Sequence, residues 1–158
     1  MTLKRLGVLK HMSPGVKGNN TYRMEINENV SDCDATIISK LLEDYNNQYA
    51  TDFNPRPLRF SVKSEGKIIG GLLAVTFWNY LYIDTLILNT EFRGCGFGKK
   101  MLNRAEKIAI ERNCTHACLN THDFQSPEFY FKCGYKKVGI LPDLPSGFNR
   151  LLLYKRLI

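Results

Sequence analysis

Along this chain the apolar residues alternate between two periods, and each switch marks an element. Residues 1–21 carry no periodicity and are rich in Gly, Asn, Lys and Ser, which predicts a mobile leader ahead of a domain spanning 22–158. Residues 22–26 read as a first strand. Ile37, Ile38, Leu41, Leu42 and Tyr45 then recur at helical spacing to about Ala50, with Ser31 or Asp32 placed to cap the first turn. Two prolines, Pro55 and Pro57, make residues 51–57 a loop. Residues 58–64 and Lys67–Phe77 alternate as strands on either side of Glu65-Gly66, a hairpin signal. Gly70-Gly71 inside the second strand predicts a bulge or a close backbone approach.

The densest pattern runs from Tyr80 to Arg112. An apolar run over 81–88 gives way to the polar turn Asn89-Thr90-Glu91 and then to Gly94, Gly96 and Gly98. Beyond them Met101, Leu102, Ala105, Ile108 and Ala109 keep the spacing of one helix face. Strand, glycine loop and helix together suit an anion. Glycines let the backbone approach it, and N–H groups at a helix N-terminus point at it. Residues 115–122 alternate again, with Ala117, Leu119 and Thr121 opposite His116, Cys118, Asn120 and His122. Because a helix connects this strand to residues 81–88, the two are expected to run parallel. Ser126-Pro127 opens a short helix that Gly134 stops, and residues 135–141 and 148–157 close the chain as two strands.

Composition narrows the partners. The chain has 158 residues, 44% hydrophobic and 23% charged, which is one ordinary globular domain. No apolar run approaches the length that spans a bilayer, so no membrane partner is expected. Five scattered cysteines form neither a disulfide framework nor a zinc-ligand pair of pairs, so reduced thiols, a cytoplasmic location and no metal are expected. The net charge of +7 is unevenly spread. Residues 25–52 are acidic, with Lys40 the single base, whereas residues 93–137 are strongly basic around the glycine loop. That polarity suits a polyanionic cofactor, and the aromatic–basic interleaving of an RNA-binding sheet is missing, so no nucleic acid is expected.

Gly94-Cys95-Gly96-Phe97-Gly98 lacks the gap of the dinucleotide fingerprint, and Gly98-Lys99-Lys100 lacks the Ser/Thr of a P-loop. Arg93-x-x-Gly96-x-Gly98 between a strand and a helix instead resembles the pyrophosphate loop of the GCN5-related N-acetyltransferase (GNAT) superfamily. About thirty residues on, Phe129-Tyr130-Phe131-Lys132-Cys133-Gly134-Tyr135 is similar to a second signature of that superfamily. The resemblance covers residues 22–158. It implies an α/β (mixed α+β) fold: a twisted, mostly antiparallel sheet with one parallel, splayed pair, flanked by about four helices.

The resemblance also implies an enzyme that moves an acetyl group from acetyl-CoA, its co-substrate, to an amine by direct transfer in a ternary complex. Backbone groups of Leu86, Ile87 and Leu88 would hold the pantetheine and acetyl carbonyl. Arg93, Gly94, Cys95, Gly96, Phe97, Gly98 and Lys99 would hold the pyrophosphate. Tyr130 matches the tyrosine that protonates the departing thiolate. Asp123 stands where many members place an asparagine that contacts CoA, a departure in charge. For the general base, Asp84 lies inside an apolar strand, where an unpaired carboxylate is costly to bury, and His122 is its rival. Cys95 and Cys133 are assigned no chemistry. The acidic group Glu43, Asp44, Tyr45, Tyr49 and Asp52 points to a small cationic amine as acceptor. A protein N-terminus or lysine is the alternative acceptor, a CoA-binding regulatory module is the alternative without turnover, and a homodimer is compatible with either.

Overall fold

The computed structural model describes residues 13–17, 20–50 and 53–158. These fall into two units, residues 1–51 and 52–158. In the first, strands β1 (Ser13–Lys17) and β2 (Asn20–Met24) pair antiparallel, so the predicted first strand is found slightly earlier than residues 22–26. The leader expected over 1–21 lies outside the described residues at 1–12, 18 and 19. Helix α1 (Asp32–Asn46) starts at Ser31, whose side-chain oxygen accepts from the Asp34 N–H at 3.1 Å. Asp32 and Asp34 place negative charge beside the positive end of the helix.

The second unit is built on a six-stranded sheet of β3 (Arg56–Ser64), β4 (Lys67–Phe77), β5 (Tyr80–Leu88), β6 (His116–His122), β7 (Lys136–Leu141) and β8 (Arg150–Arg156). Their order across the sheet is β3-β4-β5-β6-β8-β7. Every neighbouring pair is antiparallel except β5 and β6, which run parallel because helix α2 (Phe97–Glu111) carries the chain back between them. A short helix, α3 (Pro127–Lys132), follows β6. Where about four helices were expected, the described residues hold three, with single 3₁₀ turns at Thr90–Phe92 and Asp123–Gln125.

One face of the sheet is dry. Leu58, Leu72, Ala74, Leu81, Ile83, Ala117, Leu119, Leu151 and Leu153 pack there with Met101, Leu102, Ala105 and Ala109 of α2. The alternation expected along β6 is observed, with Ala117, Leu119 and Thr121 buried and their neighbours half-exposed. Each fully buried leucine of this kind contributes about 2 kcal/mol through the surface it hides from water.

Two bulges change which residues look inward. On β4 the pairing with β3 skips Ile69, and on β5 the pairing with β4 skips Asp84. An inserted residue reverses the phase of a strand. Before Asp84 the buried positions are Leu81 and Ile83; after it, Leu86 and Leu88 turn toward the core and Ile87 toward solvent. Gly70 and Gly71 allow the close approach that their pairing predicts. A Cβ on Gly70 would overlap the Ile87 carbonyl oxygen, and one on Gly71 would overlap that of Phe60.

Candidate active site

The parallel pair opens like a fork. Tyr80 to Ile83 stand opposite His116 to Leu119, and beyond Ile83 and Leu119 the two strands no longer pair. The bulge at Asp84 falls where the fork begins. Leu86, Ile87 and Leu88 therefore keep their partners on β4 and have none on the β6 side, so peptide groups turned into the fork are free to bind something else. Asn120 and Tyr82 bridge the base of the fork, with Asn120 Nδ2 donating to the Tyr82 hydroxyl at 3.3 Å.

At the end of β5 the chain enters the glycine loop. Arg93 Nε donates to the Leu88 carbonyl at 3.0 Å, which fastens the loop to the last residue of the strand. Gly94 and Gly96 both sit at φ +80, where a side chain would be strained, and nothing lies within 4 Å of the position a Cβ would take. Among the described residues the N–H groups of Gly94, Cys95, Gly96, Phe97, Gly98 and Lys99 have no acceptor; the first of the series to find one is Lys100, bonded to the Gly96 carbonyl at 3.0 Å. Six successive free donors leading into α2, with open space at Gly94 and Gly96, fit a diphosphate.

Gly98 joins the two sequence motifs. A Cβ there would touch the Phe129 ring at 3.5 Å and a Leu88 methyl at 4.0 Å, so the end of β5, the glycine loop and α3 meet at one point. Next to Phe129, Tyr130 is buried, with its ring edge-on to Phe129 (5.0 Å between centroids) and to Tyr135 (5.9 Å). Burial, with a smaller contribution from Cys133, pushes its phenol up to about 12.

The other predicted positions are more varied. Asp84 is exposed at its bulge rather than buried in the strand, and Thr85 Oγ1 donates to it at 3.0 Å. His122 caps the 3₁₀ turn after β6. Its backbone N–H and its Nδ1 both meet Gln125 Oε1 at 3.0 Å, and its ring stacks on Phe124. Asp123 accepts from both the backbone and side-chain nitrogens of Asn149, at 2.9 and 3.0 Å, so one of its oxygens ties the end of β6 to the segment before β8. Glu43, Asp44, Tyr45 and Tyr49 belong to α1 and the turn after it, with Tyr45 and Tyr49 5.3 Å apart. Asp52 lies outside the described residues. Among those residues no group of three His, Cys, Asp or Glu side chains gathers as a metal site.

One constellation escaped the reading of the sequence. Glu106 of α2 is buried, and Lys155 of β8 reaches it at 2.7 Å beneath the Tyr135 ring. The signal was there, because Glu106 falls four residues after Leu102 and three before Ala109, inside the apolar stripe.

A sheet that forks beside a row of free N–H groups, with a buried phenol at the junction, is the arrangement of an enzyme that works on an acylated, phosphate-bearing carrier. Comparison with known proteins agrees. Residues 24–135 match the Acetyltransferase (GNAT) family. A Blasticidin-S acetyltransferase of Streptomyces morookaense is 36% identical over 107 residues, covering 65% of this chain and 79% of that protein. The crystal structure of an acetyltransferase from Bacillus cereus superposes with a TM-score of 0.78 at 32% identity, covering 83% of this chain and 96% of that one. One from Agrobacterium tumefaciens gives 0.74 at 29%, covering 83% and 97%. The chain belongs to the GNAT family and is an N-acetyltransferase, with acetyl-CoA as co-substrate.

Proposed function

We propose that this enzyme acetylates a primary amine of a small cationic molecule, by direct transfer while both substrates are bound. The observation that carries the reading is the meeting of Leu88, Gly98 and Phe129, which brings together the end of the forked strand, the free N–H row and the helix that bears Tyr130. The loop from Arg93 to Lys99 would hold the pyrophosphate, chiefly through backbone N–H groups. Those peptide groups of Leu86, Ile87 and Leu88 that are not engaged with β4 or with Arg93 would align the pantetheine, and an N–H among them would face the carbonyl oxygen as charge develops on it. Asp123 keeps a second carboxylate oxygen for a hydrogen-bond donor on the cofactor.

Transfer joins the amine nitrogen to the acetyl carbon and breaks the carbon–sulfur bond. Asp84, directly or through a water, takes the proton that the ammonium must lose. Tyr130 supplies one to the departing thiolate and regains it from solvent. A phenol held near 12 is fully protonated at neutral pH, as an acid must be. Asp84 would also attract a cationic acceptor, because its carboxylate is exposed at the mouth of the fork. The name of the Blasticidin-S acetyltransferase supports a small-molecule acceptor. The catalytic domain would follow a leader over residues 1–21 and work in the reducing cytoplasm.

The deciding experiment follows free-thiol release from acetyl-CoA with a panel of amines: blasticidin S, aminoglycosides, streptothricin-like compounds, polyamines and short peptides. Turnover on one class of small cations is the expected result. Turnover on peptides alone would replace this reading with a protein acetyltransferase. Thermal stabilisation by acetyl-CoA without turnover on any amine would replace it with a binding module.

A further inference from the structure

At the opposite end of α2 from the glycine loop lies a cavity of about 100 Å³ lined by Asn54, Arg56, Thr76, Phe77, Trp78 and Arg112. The fifteen residues of the helix separate the two places by roughly 20 Å. We propose that this cavity is a binding site for a small oxyanion, phosphate or a compact carboxylate, held by the guanidinium groups of Arg56 and Arg112. Two cations line one small space, yet the ion pairs among the described residues are Arg104–Glu111 and Lys155–Glu106, and neither arginine of the cavity takes part. Both charges reach the buried Cys114 thiol, whose upward push by burial they partly offset.

The site is built rather than incidental. Arg112 Nη1 is anchored at 3.0 Å by the Arg56 carbonyl and by Thr76 Oγ1, which leaves the rest of its planar fork of donors for a ligand. The side chains of Arg56 and Asn54 donate to nothing among the described residues. Trp78 stands at φ 46, an uncommon conformation for a bulky residue, in the turn between β4 and β5. It is held there by Phe53 and Phe77, with ring centroids 5.2 and 5.8 Å away. Strain of this kind persists where the surroundings enforce it, and here it keeps an indole on the wall of a polar cavity.

Trp78 is the one tryptophan of the chain, so its fluorescence reports on this cavity alone. The full-length protein, saturated with coenzyme A to block the glycine loop, is titrated with phosphate and separately with benzoate, chloride being exchanged to hold ionic strength constant. The expected result is a saturable change in Trp78 emission with at least one of the two anions. Arg56→Gln, whose exposed side chain leaves the core untouched, should weaken it about ten- to a hundredfold at an unchanged Tm. Asn54→Ala should weaken it less. No saturable change with either anion, the same change with chloride, or an Arg56→Gln curve that overlays the wild type would overturn the proposal.

Discussion

Lys155 Nζ lies 2.7 Å from Glu106 Oε2, and the second oxygen of that carboxylate, Oε1, is buried without a hydrogen-bond partner among the described residues. The pair joins the last strand to the helix that carries the glycine loop, so its loss should be felt as stability. In Lys155→Met a buried carboxylate would lose its cation, at a cost of about 3 kcal/mol; this is the low end for such pairs because Lys155 keeps some contact with water. Urea unfolding at neutral pH measures this. Glu106→Gln combined with Lys155→Met should recover most of the loss, and equal losses in the single and double variants would refute the account.

Tyr130→Phe removes the proton donor and little of the packing. Turnover at saturating acetyl-CoA should fall about a hundredfold or more, with affinity for CoA nearly unchanged. Equal loss of both would assign Tyr130 to binding instead. The pH dependence has a definite sign. Because folding raises this phenol from about 10 to about 12, the neutral form and the stability tied to it are fully present below pH 10, and are lost as pH rises from there through 12. A wild-type rate profile should therefore show no alkaline fall from Tyr130 below pH 10.

Gly96→Val tests the loop. A Cβ there would have nothing within 4 Å, but it would strain a φ of +80 and stand in the middle of the row of free N–H groups. Acetyl-CoA should no longer raise the melting temperature of the variant, whose own Tm should drop by a few degrees. Retained stabilisation would place the cofactor elsewhere.

Gly70→Ala tests the fork from behind. Its methyl group would collide with the Ile87 carbonyl oxygen and with the Leu88 backbone, neither of which is free to move away as a flexible side chain would. Stability should fall by about 2 kcal/mol, as for other overpacked sites. Affinity for acetyl-CoA should weaken as well, since the displaced residues are those expected to hold the pantetheine. Unchanged affinity in a destabilised variant would separate Ile87 and Leu88 from the cofactor.

Much of this could be read from residue order, and the exceptions have physical causes. Lys67–Phe77 has the predicted bounds because a glycine turn and a tryptophan turn delimit it. The parallel relation of β5 and β6 followed from the intervening helix, which leaves no shorter way back. The phase change at Asp84 was hidden, since a bulge formed by an ordinary residue leaves no mark in composition and depends on what the neighbouring strand does. Glu106 is not among the apolar positions read as the face of its helix, because a carboxylate does not count as apolar, although its spacing places it on the buried side. His122 reads as a base by its chemistry alone, and only the fold brings Gln125 to its Nδ1.

The inserted residue in β5 has a consequence for how this enzyme can change. Asp84 is skipped in the pairing with β4 and is exposed, so the hydrophobic interior does not dictate its side chain, and the chemistry at the mouth of the fork is the constraint that remains. One position at the entrance to the fork is thus released from the demands of folding. A collection of variants randomised there alone should remain folded almost throughout, and differences among them would be differences in turnover and in which amine is accepted.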